Sequence, residues 1–341
     1  MAQKKTSSII AQMRPMDSLY RHFMVNDKIL DSYEKYFRHI ETDIKLLRFA
    51  SGSMGTTSDA YILFAIAVMG TANKESISNF LYGYKKLHPE LQIFDPTDAE
   101  GLRRRLISFA TNGIVFRHNY TVDVVSEKTG RAVQETTLLY TLEDSMLNFI
   151  NQKLGTRVKL QKWLAAKPLE ELIGWASCSY VASSLCERQE FLDFKQGTFS
   201  SKTCGTVIMP MEVKLNNGVN DTYVAHIPAF LHFNKSRQTQ EMYEDECLQT
   251  ILKIRDYLEF RGSRNQDPYV VITVENMQDA DNMRELIVKT EALLDYTQRI
   301  FFTSEGMFRA NIPLENKYFQ IENSADGYVF IETAPTFLKL C

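Results

Sequence analysis

The side chains best suited to chemistry in this chain lie close together on one short segment, and most of them are basic. Three consecutive arginines are followed at helical spacing by two hydroxyl side chains; they are Arg103, Arg104, Arg105, Ser108 and Thr111. Arginine binds phosphate and pairs with guanine in the major groove of DNA, and hydroxyl groups bond to phosphates and to bases. The segment therefore predicts contact with double-stranded DNA rather than bond-breaking chemistry.

Four further candidates extend this segment toward the C-terminus: Arg117, His118, Lys128 and Arg131. Within the whole set, Arg104 and Ser108 are expected to face the edges of bases. The remaining arginines and Lys128 are expected mainly to neutralise phosphates, which makes binding depend on salt concentration.

A helix is expected to position the first group of candidates. Thr97 can cap its start, and Glu100 follows three residues later, as in a capping box. Asn112-Gly113 marks its end, because glycine accepts the left-handed backbone conformation at little cost. Apolar residues recur at helical spacing and form one stripe: Leu102, Leu106, Phe109 and Ala110.

A two-stranded ribbon is expected to follow the helix. Residues 114–125 alternate as a β-strand does, and the polar turn at 126–131 leads to a return strand that ends at Tyr140. A helix followed by such a ribbon has the shape of a winged helix, in which the helix enters the major groove and the ribbon reaches the backbone or the minor groove. The alternative is that a capped helix and a hairpin belong to another fold, with the arginines merely solvated.

The charge of the chain restricts any DNA contact to a local patch. A formal net charge of −3 argues against a protein that coats nucleic acid over its whole surface. Residues 97–131 hold six basic and four acidic residues, whereas residues 241–260 hold six acidic and two basic ones. The first segment therefore suits a phosphate backbone, and the second does not.

Cysteine and histidine usage predicts neither a zinc site nor a disulfide framework. The five cysteines form no CxxC pair, and only six histidines are present. An odd, scattered set of cysteines suits a reducing compartment. The longest apolar run, residues 61–69, is far shorter than the roughly 20 residues that span a bilayer, and the polar N-terminus has no apolar signal core. We expect a soluble cytoplasmic protein without a cofactor or membrane contact.

The patterns along the chain predict separate parts. Residues 1–15 form a flexible basic tail, and residues 16–57 form a helical extension with a linker. Residues 58–157 form a winged helix-turn-helix domain, and residues 165–341 form a mixed α/β domain. The amphipathic helix predicted over residues 27–50 packs within the chain or pairs with a second copy. A homodimer or a protein partner, held through this helix or the C-terminal domain, is therefore expected.

The second half has the alternation of an α/β domain. Its predicted elements are two strands, a helix, a strand, a helix and a strand, over residues 205–215, 222–233, 240–260, 268–274, 279–294 and 299–303. This order predicts a mixed sheet covered by helices.

One pair on the first of these strands could support catalysis. Glu212 and Lys214 are two residues apart, so their side chains lie on the same face of the strand. In nucleases a Glu-x-Lys pair contributes a carboxylate to a divalent cation and a lysine that helps activate water. The alternative is an exposed, alternating strand with a simple charge pair. No second acid stands at a suitable spacing, and no GxSxG, GxxxxGK[ST] or HExxH motif occurs.

Two parts of the chain together resemble the replication-relaxation family of plasmids and conjugative elements. The first is LISFATNGIVFR with the later LLYTL, similar to the winged-helix signature of helix, glycine, basic strand and return strand. The second comprises IMPMEVKL, YVAHIPAFLHF and LKIRDYLEF, in which Lys253 and Tyr257 stand where that family often has Lys-x-x-x-Tyr. The resemblance covers residues 58–154 and 168–303.

The resemblance implies a winged helix followed by a degenerate restriction-endonuclease-like domain. Nucleases with that core carry Pro-Asp on one strand and Glu-x-Lys on the next, whereas here Met211 follows Pro210 and the next strand has Pro228-Ala229. Without those carboxylates a hard cation has no ligands. The resemblance thus implies a non-catalytic DNA-binding accessory protein of a mobile element, acting in plasmid replication, mobilisation or transcriptional control. One alternative is a metal-dependent DNA nuclease that uses Glu212 and Lys214. Another keeps the fold without any DNA contact: tyrosine, phenylalanine and methionine are plentiful, and an aromatic-rich surface would suit binding to another protein.

Overall fold

The computed structural model describes residues 57–91, 93–95, 97–126, 129, 131–143, 146–159, 169–201, 203, 205–229, 240–275, 277–291, 293–309, 318–325 and 327–338. The predictions made for the basic tail, for the helix over residues 27–50 and for most of the linker lie outside these residues, as does Lys128.

The first half of the described chain consists of helices packed on a small sheet. Its elements are α1 (Thr57–Met69), β1 (Thr71–Ala72), α2 (Lys74–Leu87), α3 (Ala99–Thr111), β2 (Val115–Val125), β3 (Ala132–Leu142) and α4 (Met146–Leu154). The three strands form an antiparallel sheet in the order β1-β3-β2. We call the long β2–β3 hairpin, residues 115–142, the ribbon.

The apolar pattern of the sequence explains how these elements pack. α1 is apolar on almost every side, and all of its residues from Ala60 to Met69 are buried. Gly70 ends α1 with a φ of 77°, a value that suits glycine because it has no Cβ. Asn73 then caps α2 by accepting a 2.8 Å hydrogen bond from the backbone of Ser76. The inner face of α3 is fully buried, as its helical spacing predicts, at Leu102, Leu106 and Phe109.

The second half is built on a seven-stranded sheet in the order β10-β9-β8-β7-β6-β5-β4. Its elements are α5 (Leu169–Ser184), β4 (Phe191–Ser201), β5 (Gly205–Asn216), β6 (Asp221–Pro228), α6 (Gln240–Gly262), β7 (Asp267–Thr273), α7 (Met277–Thr290), β8 (Ile300–Thr303), α8 (Glu305–Arg309), β9 (Tyr318–Ser324) and β10 (Gly327–Thr333). Short 3-10 turns lie at Leu185–Glu187, Leu294–Arg299 and Thr336–Leu338. The β6–β7 and β7–β8 pairs are parallel, and the others are antiparallel.

The chain is therefore a mixed α/β protein, as the sequence predicts, but three strands of the large sheet were not predicted. β4 was missed because its pairing with β5 shifts register at two places, near Leu192 and Gln196, which interrupts the alternation of buried and exposed residues. β9 and β10 were missed because they lie beyond residue 303, where the predicted order of strands and helices ends.

The two halves share one apolar core. The Phe80 ring of α2 lies 5.5 Å from the Phe194 ring of β4, and the cluster continues through α1, the ribbon, α5 and the near face of the large sheet. The hydroxyl of Ser179 on α5 donates to the carbonyl of Met69 at 3.1 Å. A second cluster lies on the other face of the large sheet, beneath α6 and α7. None of the described helices combines the length and the apolar character needed to cross a membrane.

Candidate nucleic-acid interface

α3 carries the first group of candidates, and its cap differs from the prediction. Asp98, not Thr97, is the capping residue: its Oδ1 accepts a 2.7 Å hydrogen bond from the backbone of Gly101. Thr97 instead donates its hydroxyl to Asp95 at 2.8 Å. The capping-box prediction is wrong, because an ionised aspartate is a stronger acceptor than a threonine hydroxyl and Glu100 turns toward the arginines of α3.

Arg103 and Arg104 lie on the outer side of α3 and share one carboxylate. Glu100 accepts from Nε of Arg103 at 2.7 Å and from Nε of Arg104 at 3.1 Å. These hydrogen bonds lower the pKa of Glu100 to about 2. The side chains of Arg103 and Arg104 remain 51% and 74% exposed. Because a guanidinium has five N–H donors, both retain donors for a ligand, and solvated ion pairs of this kind are weak.

Arg105 is in a different position from its two neighbours. Its Nε lies 3.3 Å from Oδ1 of Asp59, a residue of the first turn of α1 that is only 1% exposed. The N–H is not aligned as a hydrogen bond to that oxygen, so the contact is an ion pair that ties α3 to α1. Arg105 is therefore partly committed to α1: its side chain is 34% exposed, less than those of Arg103 and Arg104, and its contact with a phosphate stays a prediction.

The two hydroxyl candidates lie toward the C-terminal end of α3. Thr111 is exposed and donates its hydroxyl to the carbonyl of Ile107 at 2.9 Å, which leaves its oxygen able to accept. Ser108 is half-buried, and its carbonyl accepts from the side chain of Asn112 at 2.7 Å. Both hydroxyls belong to the same helix as Arg104, but Thr111 is more accessible than Ser108.

The ribbon contributes an outer face that the sequence reasoning only partly identified. Successive side chains on a strand point to opposite sides, and Arg117 lies on the exposed side of β2. On the same side, Thr121 and Thr136 face each other with their hydroxyls 3.2 Å apart. The missed members of this exposed side are Asn119, Thr121, Asp123, Gln134 and Thr136, so this side also carries one negative charge. Their period-two spacing, counted from Arg117, was the signal that could have identified them.

His118 lies on the opposite, inner side of the ribbon. It is half-buried, its Nε2 lies 3.3 Å from the hydroxyl of Thr141, and burial lowers its pKa. A largely neutral imidazole on the inner face cannot act beside Arg117 on the outer one. The prediction that His118 contacts DNA therefore does not fit the ribbon's orientation, because the strand period places it on the wrong side.

Arg117 of the ribbon and Arg103 of α3 both lie near Tyr140. This phenol is buried, and burial raises its pKa; the charge of Arg117 opposes that rise, the charge of Glu75 on α2 adds to it, and the charge of Arg103 opposes it. Arg131 is exposed at the far end of the ribbon, where its carbonyl accepts from the backbone of Ser126 at 2.9 Å. We call the resulting surface the helix–ribbon face; its members are Arg103, Arg104, Ser108, Thr111, Arg117, Asn119, Thr121, Asp123, Arg131, Gln134 and Thr136.

The predicted Glu-x-Lys pair is split between two different partners. Glu212 is 1% exposed and accepts from Nη2 of Arg261 at 2.6 Å and from the hydroxyl of Tyr257 at 2.8 Å. Lys214 instead pairs with Asp221 at 2.7 Å. The expectation of an exposed strand with a Glu212–Lys214 charge pair is wrong, because α6 covers this face of β5 and supplies the arginine.

Two side chains that face each other on neighbouring strands of the large sheet, Met211 and His226, are also buried. Met211 is buried, with its sulfur 3.5 Å from the hydroxyl of Ser179. His226, opposite Met211 on β6, is completely buried, and burial lowers its pKa to about 3. Within the described part of the chain, His, Cys, Asp and Glu side chains form no group of three or more that could hold a metal ion.

Comparison of the chain with protein-family models, with curated proteins and with solved structures gave no match. The resemblance to the replication-relaxation family therefore stays a prediction from the motifs quoted above.

Proposed function

We propose that this chain is a non-catalytic protein that binds double-stranded DNA through the helix–ribbon face. One observation carries the proposal: Arg103 and Arg104 are exposed on α3, Arg117 is exposed on the outer side of β2, and Arg103 and Arg117 both lie near Tyr140. The order of helix, short strand, two helices and a long hairpin, with the sheet order β1-β3-β2, supports a winged helix.

In this proposal α3 lies in the major groove and the ribbon lies along the backbone. Arg104, the most exposed arginine of α3, reaches base edges together with Ser108 and Thr111. Arg103 and Arg117 neutralise phosphates on either side of Tyr140, and Arg131 reaches the backbone from the end of the ribbon. Arg105 is assigned to holding α3 in place through Asp59 rather than to a DNA contact.

The second half of the chain is compared with the fold that the resemblance implies. The order β4-β5-β6-β7-β8, with only β5 antiparallel to the rest, fits a restriction-endonuclease-like core. The acid of the Glu-x-Lys pair, Glu212, is buried against Arg261. We infer an accessory role in the replication, mobilisation or transcriptional control of a mobile element, with the second half holding a protein partner or a second copy.

The test replaces Arg103, Arg104 and Arg117 together with alanine and measures binding of a fluorescent duplex by anisotropy across a salt series. Loss of the two phosphate contacts of Arg103 and Arg117 should lower the slope of log K against log salt by about two units, and loss of the base contact of Arg104 should weaken binding further. The matched control removes the same charge elsewhere, at the exposed Lys195, Lys253 and Lys289. Equal affinity for the triple-arginine variant and the unaltered protein, or an equal loss in the control, contradicts the proposal.

A further inference from the structure

The inner side of the ribbon is held by a short helix from the other half of the chain. α8 begins with Glu305, whose buried carboxylate accepts from the hydroxyl of Tyr120 on β2 at 2.8 Å. The same carboxylate accepts from the hydroxyl of Ser177 on α5 at 2.8 Å and from Nε of Arg309 at 2.9 Å. One carboxylate therefore joins the ribbon, α5 and α8.

Arg309 extends this contact to the second strand of the ribbon. Its Nη1 donates to the carboxylate of Glu135 on β3 at 3.0 Å. Its guanidinium also lies 4.6 Å from the centre of the Tyr180 ring of α5, and its side chain is only 9% exposed. Both strands of the ribbon are thus tied to α8, one through Tyr120 and the other through Glu135.

Gly306 brings the backbones of α8 and the ribbon together. A Cβ on this residue would lie 2.0 Å from the carbonyl oxygen of Asp123. That oxygen belongs to the backbone of β2 and cannot move unless the strand moves with it. The absence of a side chain at position 306 is therefore a condition for the observed position of the ribbon.

The contacts with α8 and the proposed contacts with DNA use opposite sides of the ribbon. Tyr120 points inward toward Glu305, whereas Thr121 and its partner Thr136 point outward. Glu135 is likewise adjacent in sequence to the outward Thr136 but reaches inward to Arg309. A duplex on the outer side therefore does not displace α8.

We infer that α8 is a clamp that fixes the ribbon at the angle needed for DNA contact, with Glu305 as its positioning residue. This inference rests on the proposed function. Fixing the ribbon before binding removes the entropic cost of ordering it on the DNA. Because coupling between two sites is reciprocal, a ribbon held on DNA should in turn protect α8 from local opening.

The variants chosen to test the clamp alter it in three different ways; the hydroxyl of Tyr120 also accepts from the side chain of Asn73, the cap of α2, at 3.0 Å. Tyr120→Phe removes a single hydroxyl, Glu305→Gln removes the charge, and Gly306→Ala keeps the polar groups but pushes the ribbon away. Tyr318→Phe is the matched control, since it removes another buried hydroxyl, from β9 in a different part of the core. Tyr120→Phe provides a milder alteration if Glu305→Gln folds poorly.

The first readout is hydrogen exchange of the ribbon. Amide exchange over residues 115–142 should become about tenfold faster in each clamp variant, the factor expected for the loss of one hydrogen bond to a charged group. It should stay unchanged in Tyr318→Phe. Unchanged exchange of the ribbon in all three clamp variants overturns the clamp itself, whether or not the protein binds DNA.

The second readout is a double-mutant cycle in DNA affinity. Arg117→Ala should weaken binding of a duplex less in the Glu305→Gln background than in the unaltered protein, because a loosened ribbon no longer places Arg117. Arg104→Ala, on α3, should have the same effect in both backgrounds. An equal effect of Arg117→Ala in both backgrounds overturns the positioning role. Absence of DNA binding by the unaltered protein overturns the proposed function, and it also overturns the role of the clamp in DNA binding.

Discussion

Glu212 and Arg261 form a buried ion pair, 2.6 Å apart, between β5 and α6. Tyr257 donates to the same carboxylate, and the guanidinium of Arg261 also lies 4.0 Å from the centre of the Tyr223 ring. The nuclease hypothesis assigns the carboxylate of Glu212 to a metal ion. In the structure, a cation and a hydroxyl donor surround that carboxylate instead. Its geometry is that of a structural contact holding α6 on the sheet.

Removing the charge of Glu212 should therefore act on stability. Glu212→Gln leaves Arg261 buried without its counter-ion, and we expect the free energy of unfolding to fall by about 3 kcal/mol or more. Urea unfolding followed by circular dichroism measures this loss. Asp221→Asn breaks the more exposed pair with Lys214 and should cost less than about 1 kcal/mol. Equal losses of stability in the two variants would show that burial does not determine how much an ion pair contributes to the free energy of unfolding.

The same contacts predict the result of a nuclease assay. Incubation of the purified chain with supercoiled DNA and magnesium or manganese should give no cutting above that of a mock preparation. Lys214→Ala is the informative variant, since its ion pair is partly exposed and its loss should leave the fold intact. Cutting by the unaltered chain that disappears in Lys214→Ala would favour the nuclease alternative over a binding protein.

Arg104 and Arg105 are neighbours in sequence, but their replacement should affect different properties. Arg104→Ala removes an exposed side chain, so stability should change by less than about 0.5 kcal/mol, while loss of its base contact should weaken DNA binding by about tenfold or more. Arg105→Ala removes the ion pair with the buried Asp59 and should lower stability by about 2 kcal/mol. Thermal unfolding and anisotropy, measured on both variants, separate the two roles. A larger loss of DNA affinity in Arg105→Ala than in Arg104→Ala would return Arg105 to the interface.

Glu100 is expected to oppose DNA binding. It places a negative charge between Arg103 and Arg104, and its lowered pKa, about 2, keeps it ionised at every pH used for binding. Glu100→Gln should therefore tighten binding several-fold at low salt, and the gain should shrink as salt screens the charge. Anisotropy at two salt concentrations measures the effect. Weaker binding by Glu100→Gln would indicate that this carboxylate orders the arginines for contact.

His226 should make the fold sensitive to mild acid. Burial lowers its pKa to about 3 from the value of 6.5 in an unfolded chain. Between these values the unfolded state binds more protons, so stability falls as the pH drops through 6.5 and is unaffected by this group above that value. Between pH 7 and pH 5 the expected loss is about 2 kcal/mol. His226→Leu should remove this loss of stability. Urea unfolding of the variant at pH 7 and at pH 5 tests the expectation. An unchanged pH dependence in the variant would assign the acid sensitivity to other groups.

The sequence alone determined the helix and the ribbon at residues 97–142, because the signals that specify them are local. Helical spacing buried Leu102, Leu106 and Phe109, and the backbone freedom of Gly113, whose φ is 68°, ended the helix. The alternation of outward and inward side chains specified β2 and β3, and a continuous run of apolar residues specified the buried strand β7. The same local rules fail where a strand is bulged, as in β4. They also fail where two neighbouring residues could each cap a helix, as with Thr97 and Asp98 at the start of α3.

Only the tertiary structure decided which charged and polar side chains are available. Arg105 pairs with Asp59, Glu212 pairs with Arg261, and Tyr120 bonds to Glu305 at a separation of 185 residues. The identity of such partners depends on which elements pack together, and packing is set by the burial of whole apolar faces rather than by the polar residues themselves. The sequence therefore shows which residues are charged. Whether such a residue contacts solvent, DNA or a buried counter-ion is decided only when distant segments pack together.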